Sequence, residues 1–345
     1  MPQLSYQQSG LTLQQGDNSQ MVRDLQRDLR SIGYLRQGIT GTFGAQTTLA
    51  VKALQHDLLT NQGASTGSDG NAPVKVADYN RGRVAGVNGQ VDQQLVACIS
   101  DILDDSDFPK LPYADDPVQE NQRIAEQIAG MSSDDVPVPF LIAILKQESG
   151  LKHFREPRGT DEDNFIVVGM DRNAQGEPRK YAITSRGYGA GQYTLFHHPP
   201  TADEVQQIML DATRNVLMAI DELKGKFDRF VISQKSGADD RLAEFGNGPL
   251  RMCKYSSGDA RYMKDCKTCA LAAGTQTIVP GATPFYEGSS KVYQTTQYYS
   301  PAPFKSIPQR KNLGCDWPYA VRRYNGSGVN SYWYQGMVLN HLVGR

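Results

Sequence analysis

Between residues 104 and 120 the chain reads DDSDFPKLPYADDPVQE, acidic and interrupted three times by proline. Proline fixes φ and removes a backbone donor, so no helix or central strand runs through such a stretch. Its composition is that of a linker. It divides the 345 residues into a small N-terminal part, 11–103, and a larger part, 121–345. That division suits the length, which corresponds to about two domains of ordinary size.

The small part shows helical spacing. Val22, Leu25, Leu29 and Ile32 recur on one face, and Gly33 follows as a stop. Gly38 to Gly44, GITGTFG, reads as a turn. A second helix opening at Thr47 presents Leu49, Ala50, Ala53, Leu54 and Leu58. Residues 60–80, rich in Gly, Ser, Asn and Asp, read as a surface loop. After a turn at Val87-Asn88-Gly89, a third helix carries Leu95, Ile99, Ile102 and Leu103, with Cys98 on the same face as a buried thiol. The expectation is a three-helix bundle around one core.

Beyond the linker, helices are expected around Ile124–Ile128, over PFLIAILKQESG from Pro139, at 202–230 and at 316–325. Residues 233–315 show little periodicity and read as a long insertion holding Cys253, Cys266 and Cys269, with Cys315 at its end. Disulfides, free thiols and a zinc site all remain open for these four. A zinc ribbon usually shows two Cys-x-x-Cys pairs and here there is one. The fold class is mainly α.

Composition excludes some functions. The net charge is −1 and the pI about 6.5, without the basic stripe of a nucleic-acid binder. No apolar run approaches the roughly 20 residues that span a bilayer. The N-terminal stretch MPQLSYQQSGLTLQQGD lacks the basic and apolar regions of a secretory signal. On that reading the protein is made in the cytoplasm and moved by another route. The adjacent His197 and His198 are poorly placed as joint metal ligands, and no His-Glu-x-x-His pattern occurs. They, with His56, His153 and His341, read as surface or partly buried residues. No cofactor is expected.

One carboxylate stands out. Glu148 continues the stripe of Phe140, Leu141, Ile144 and Leu145 and does not turn toward solvent. It also falls in the last turn of its helix, before Gly150, where the negative end of the helix dipole disfavours ionisation. Burial and dipole together raise the pKa of a carboxyl, as an acid that must donate near neutral pH requires.

Two resemblances give these features a context. The first region resembles the three-helix peptidoglycan-binding domain. The matching residues are Gly16, Val22, Leu25-Gln26, Leu29, Gly33-Tyr34, Gly41-x-Phe43-Gly44, Thr47, Ala50-Val51 and Leu54-Gln55, with Asn88-Gly89-x-Val91 echoing the turn. Thr40 departs from the family's usual Asp. The second region resembles lytic transglycosylases and goose-type lysozymes through four motifs in order. These are Glu148-Ser149, the glycine-rich hairpin Gly187–Tyr193, Asn215 in RNVLMAIDEL, and Ala320–Gly326. Ala190-Gly191 stands where the family has Leu-Met. The segment between Glu148 and Gln192 is long, and so is the cysteine-bearing stretch before Tyr324.

The second resemblance implies a lysozyme-like α+β domain that cleaves peptidoglycan glycan strands. Glu148 would be the acid/base. Ser149, Gly189, Gln192, Tyr193, Tyr324 and Asn325 would bind substrate, with Tyr324 against the catalytic carboxyl. In the lytic reaction one carboxyl suffices. In hydrolysis a second carboxylate helps activate water, and Asp161, Asp163 or Asp171 is the candidate for it, although an acidic run in a polar loop is usually just solvated. The lytic reaction is the favoured expectation. The alternatives are a muramidase and a noncatalytic wall-binding protein. Release through a holin or injection by a secretion machine would deliver such an enzyme, and an immunity protein would be the partner in the second case.

Overall fold

The computed structural model describes residues 3–63, 73–173, 180–232, 250–267, 313–326 and 329–344. The chain forms two compact units, Met1–Ala125 with Lys152–Asn215, and Glu126–Leu151 with Val216–Arg345. The described secondary structure is mainly helical.

The first unit is built on α1 (Gln20–Ser31), α2 (Ala45–Thr60) and α3 (Gln93–Asp104). Ser19 and Asp92 cap α1 and α3, each side chain accepting an orphan amide of the first turn. Val22, Leu25, Leu29, Leu54, Leu95, Ile99 and Ile102 are buried together with Cys98, as the spacing predicts. Two glutamines organise the turns. Gln26 Oε1 accepts from the amides of Thr40 and Gly41 at 2.9 and 2.8 Å. Gln55 Oε1 repeats this with Asn88 and Gly89 at 3.0 and 2.8 Å. Gly41 and Gly89 share a left-handed φ of 81° and 80°, so the echo between the two turns is structural as well as sequential.

The expected linker is not a spacer. Phe108 and Leu111 are buried, the Leu111 amide donates to Ser31 O at 2.7 Å, and Tyr113 bridges to Phe165. Acid and proline content suggested solvation, but two apolar anchors and paired backbone strap this stretch onto the first unit. Residues 152–215 belong to the same compact unit as this stretch and the three helices.

The acidic stretch after 160 is part of that strapping. Arg30 of α1 donates from Nε and Nη2 to Asp163 Oδ1 at 3.1 and 2.9 Å, and the two side chains are 0% and 1% exposed. Asp163 Oδ2 accepts from the Gly38 amide at 2.8 Å, and Asp161 Oδ1 from the Ile39 amide at 2.8 Å. Further on, β1 (Arg172–Asn173), β2 (Ile183–Tyr188) and β3 (Tyr193–Leu195) form an antiparallel sheet in sequence order. Arg186 of β2 pairs with Asp171 and also donates to Gly33 O. The short α6 (Ala202–Glu204), closed by a Thr201–Glu204 capping box, runs on as a π-helical turn.

In the second unit, α5 (Val138–Ser149) packs against the C-terminal helix. The helix α4 (Pro117–Ala129) enters this unit at its end, and α7 (Ala212–Lys226) at its start. Then follow α8 (Trp317–Tyr324) and α9 (Val329–Val343), and α9 lies against both α5 and α8. Phe227 stacks on Trp317 with ring centroids 4.0 Å apart. Arg251 is held by Asp316 and Leu313 O at 2.7 Å each, tying part of the expected insertion to the start of α8. Most of 233–315, Cys269 included, lies outside the described residues, and with it the cysteine pairing.

Of the histidines, His56, His153, His197 and His198 are all buried, not at the surface, and only His341 is partly exposed. Each of the buried four has polar or aromatic company that spacing does not reveal. His197, for instance, meets the buried Glu204 at 2.7 Å.

A buried ion pair stripped of one partner leaves a stranded charge. Asp163→Ala is therefore expected to lose about 3–5 kcal/mol of stability, read from the urea midpoint of the full chain. A loss under about 1 kcal/mol, the scale of an exposed pair, would show that Arg30–Asp163 does not organise this unit.

Candidate active site

The sequence places Glu148 at the end of an apolar stripe, and the fold keeps it there. Phe140, Leu141, Ile144 and Leu145 of α5 are fully buried, and Glu148 is half-buried one turn beyond them. The helix ends at Gly150 in the left-handed conformation, φ 68°, whose amide returns to Lys146 O at 3.0 Å. Ser149 donates from Oγ to Leu145 O at 3.1 Å, so its hydroxyl closes the same turn.

The carboxyl of Glu148 meets a phenol. Tyr334 of α9 donates to Glu148 Oε1 at 2.5 Å. One helical repeat further along α9, His341 Nε2 lies 3.2 Å from Gln147 Oε1, so positions seven apart on one helix meet adjacent positions on the other. Tyr324, at the end of α8, stacks on Tyr334 with planes 6° apart and centroids 6.4 Å apart. Asn325 follows it, exposed. Burial pushes Glu148 above the usual carboxylate range, and the phenol hydrogen bond pulls it partly back. Burial and the nearby Glu148 charge hold both tyrosines well above the ordinary phenol value, so they stay neutral. Among the described residues no Lys or Arg pairs with this carboxyl.

Tyr334 has no place in the sequence motifs. The resemblance points to Tyr324 as the tyrosine against the carboxyl; the hydroxyl that donates to Glu148 is that of Tyr334, and Tyr324 stacks on its ring. The one available signal was a tyrosine in the helical stretch after Asn325, seven residues before a histidine.

The glycine-rich hairpin belongs to the first unit. Its turn is locked from behind. Asn215, wholly buried, accepts the Gly191 amide at 2.8 Å and donates to Tyr188 O at 2.9 Å and Ile208 O at 3.1 Å. His153 accepts the Ala190 amide on Nδ1 at 3.2 Å and donates from Nε2 to Met209 O at 2.7 Å, which fixes the neutral tautomer. Burial lowers its pKa and keeps it neutral. Gly189, φ 74°, has no room for a side chain: a Cβ there would lie 2.6 Å from His153 and 2.8 Å from Asn215. Internal packing thus explains this glycine. Gln192 is left-handed at φ 51°, and its Nε2 donates to Gly189 O at 2.8 Å. Tyr193, half-buried, opens β3 opposite Tyr188.

Asp161, Asp163 and Asp171, the candidates for a second carboxylate, are all engaged within the first unit. Asp163 holds Arg30 and Gly38, Asp161 holds Ile39, and Asp171 holds Arg186, so the reading of a merely solvated acidic run is replaced too. Among the described residues no group of three or more His, Cys, Asp or Glu could hold a metal ion. No described helix is long and apolar enough to cross a membrane.

The family model of the peptidoglycan binding domain matches residues 18–58, which span α1, the Gly38–Gly44 turn and nearly all of α2. The chain therefore carries a peptidoglycan-binding domain, and its association is with the bacterial cell wall. No curated protein matches the chain.

Two outcomes follow from this geometry. A folded-state pKa above the unfolded value means that the stability Glu148 contributes is present below the ordinary glutamate pKa of about 4.3. It is lost as pH rises through the folded value. Glu148→Gln should accordingly be more stable than the wild type at neutral pH, and the advantage should vanish near pH 4 in denaturation series. Equal stabilities at both pH values would show a carboxyl that burial does not perturb. Gly189→Ala should cost about 1–3 kcal/mol, from overpacking on His153 and from left-handed backbone, read as a lowered Tm.

Proposed function

We propose that the protein cleaves the β-1,4 bond between MurNAc and GlcNAc in peptidoglycan by a lytic transglycosylase reaction, with Glu148 as the one acid/base. The observation that carries the proposal is a carboxyl kept from water without a cation. The buried Asp163 is met by an arginine. Glu148 is met by a neutral phenol, as Asp28 and Asp57 are by Tyr6 and Tyr34, and of these three it alone stands in the Glu-Ser motif at the end of an apolar helical stripe. A carboxyl so placed costs stability and holds its proton to higher pH than an exposed glutamate, the direction in which a catalytic acid is tuned.

The steps need no further titrating group. Protonated Glu148 gives its proton to the glycosidic oxygen as the bond from C1 breaks. The carboxylate left behind takes the proton of the sugar's C6 hydroxyl, whose oxygen closes on C1 to form the 1,6-anhydro ring. The engagement of Asp161, Asp163 and Asp171 by arginine or backbone favours this over a hydrolysis that enlists one of them. The peptidoglycan-binding domain contributes by tethering, which raises the local concentration of an insoluble substrate. Ser149, Gly189, Gln192, Tyr193, Tyr324 and Asn325 are assigned to substrate binding by resemblance. Of these, Tyr324 has the added support of its stack on the tyrosine that meets Glu148.

Digestion of purified peptidoglycan by the wild type and by Glu148→Gln, with products weighed by mass spectrometry, tests the proposal. Anhydro-muropeptides from the wild type alone are expected. Products heavier by one water, lost in the variant, would replace the lytic reaction by hydrolysis. Cleavage by neither protein would leave a wall-binding protein.

A further inference from the structure

The hydrogen bond between Tyr334 and Glu148 divides the labour between the two carboxyl oxygens. Tyr334 is buried, 4% exposed, and its hydroxyl donates to Oε1. A phenol has one proton to donate, and its neutrality is secured by burial. Among the described residues no other hydrogen bond reaches this carboxyl. The ring of Tyr334 is set by the parallel ring of Tyr324. On the same face of α9, His341 meets Gln147, so the helix that delivers the phenol is registered against α5 at two points.

We propose that Tyr334 is the positioning residue of Glu148, holding Oε1 as an acceptor in both protonation states so that Oε2 alone carries the transferred proton. The inference rests on the reading of Glu148 as the acid/base and adds which oxygen works. When the carboxyl is neutral, Oε1 is its carbonyl oxygen, the better acceptor for a phenol, and the proton sits on Oε2. After Oε2 has given its proton to the leaving oxygen, Tyr334 still holds Oε1, and Oε2 faces the next proton. One oxygen thus gives and then takes, and the carboxyl need not rotate between the two steps. Tyr324, the tyrosine of the sequence motif, acts through Tyr334 by stacking.

A purely structural tyrosine would lose nothing chemical on becoming phenylalanine, and this sets the test. The full chain is labelled with glutamate bearing 13C at the side-chain carboxyl. The Glu148 resonance is assigned by its absence in Glu148→Gln and titrated in the wild type and in Tyr334→Phe. The phenol hydrogen bond favours the ionised form, so its loss should move the titration midpoint of Glu148 upward. The alkaline limb of the pH–kcat profile should move the same way. At the optimum kcat should fall about tenfold or more, the factor a hydrogen bond to a charged group carries, with KM within about twofold. Replacing Tyr334 by a fluorotyrosine, a stronger donor of nearly the same shape, should move the midpoint downward and decides the matter if the phenylalanine variant does not fold. A midpoint that stays put in Tyr334→Phe, or that rises with fluorotyrosine, overturns the inference. A wild type that cleaves nothing sinks the acid/base reading instead, and the midpoints still decide whether Tyr334 holds the carboxyl.

Discussion

Arg30 and Asp163 are 133 residues apart in sequence and form the most deeply buried ion pair described in the chain, at 0% and 1% exposure. Removing two charges from water costs several kcal/mol each, so such a pair persists only when its geometry is nearly complete. Here it is. Arg30 also donates to Leu35 O and Ile166 O, and Asp163 also accepts the amides of Gly38 and Phe165. The pair fastens α1 of the peptidoglycan-binding domain, the turn that follows it, and the acidic stretch after residue 160. Much of the first unit follows from that. The strap 104–114 runs from Ser31 to Asn164, and Arg186 reaches from the sheet to Gly33. The segment matched as a peptidoglycan-binding domain is therefore built into a larger body.

Glu148 is the opposite solution to the same problem. Its carboxyl is withdrawn from water as well, but it meets a tyrosine, not an arginine, and it lies at the end of a helix where the dipole disfavours its charge. The pairing at Asp163 fastens a carboxylate to the framework through Arg30 and the Gly38 amide. The phenol at Glu148 accompanies a carboxyl that burial pushes above the usual carboxylate range, the direction that proton donation requires. Under the proposed function the two carboxyls separate framework from chemistry within one chain.

Much of this was legible in the sequence. The three helices of the bundle, the buried Cys98, the echo of Gly41 in Gly89, and the apolar face leading to Glu148 all follow from periodicity and turn chemistry, which are local. What escaped was long-range. The acids at 161–171 read as solvated because nothing local reveals that Arg30 and Arg186 will meet them. The proline-broken stretch read as a linker because composition cannot show that Phe108 and Leu111 find a core. Tyr334 escaped because its role depends on how α9 registers against α5. Gly189 drew notice only by resemblance, as a substrate-binding position, and the packing found there comes from His153 and Asn215, two residues set by the tertiary fold.

In the proposed reaction one carboxyl performs both proton transfers and no water attacks the sugar. Digestion of peptidoglycan in water enriched in 18O measures this most directly. If Glu148 acts alone, with the C6 hydroxyl as nucleophile, the freshly formed MurNAc ends take up no oxygen from solvent. One 18O at each new end would mean that water is the nucleophile, and it would contradict the single-carboxyl account.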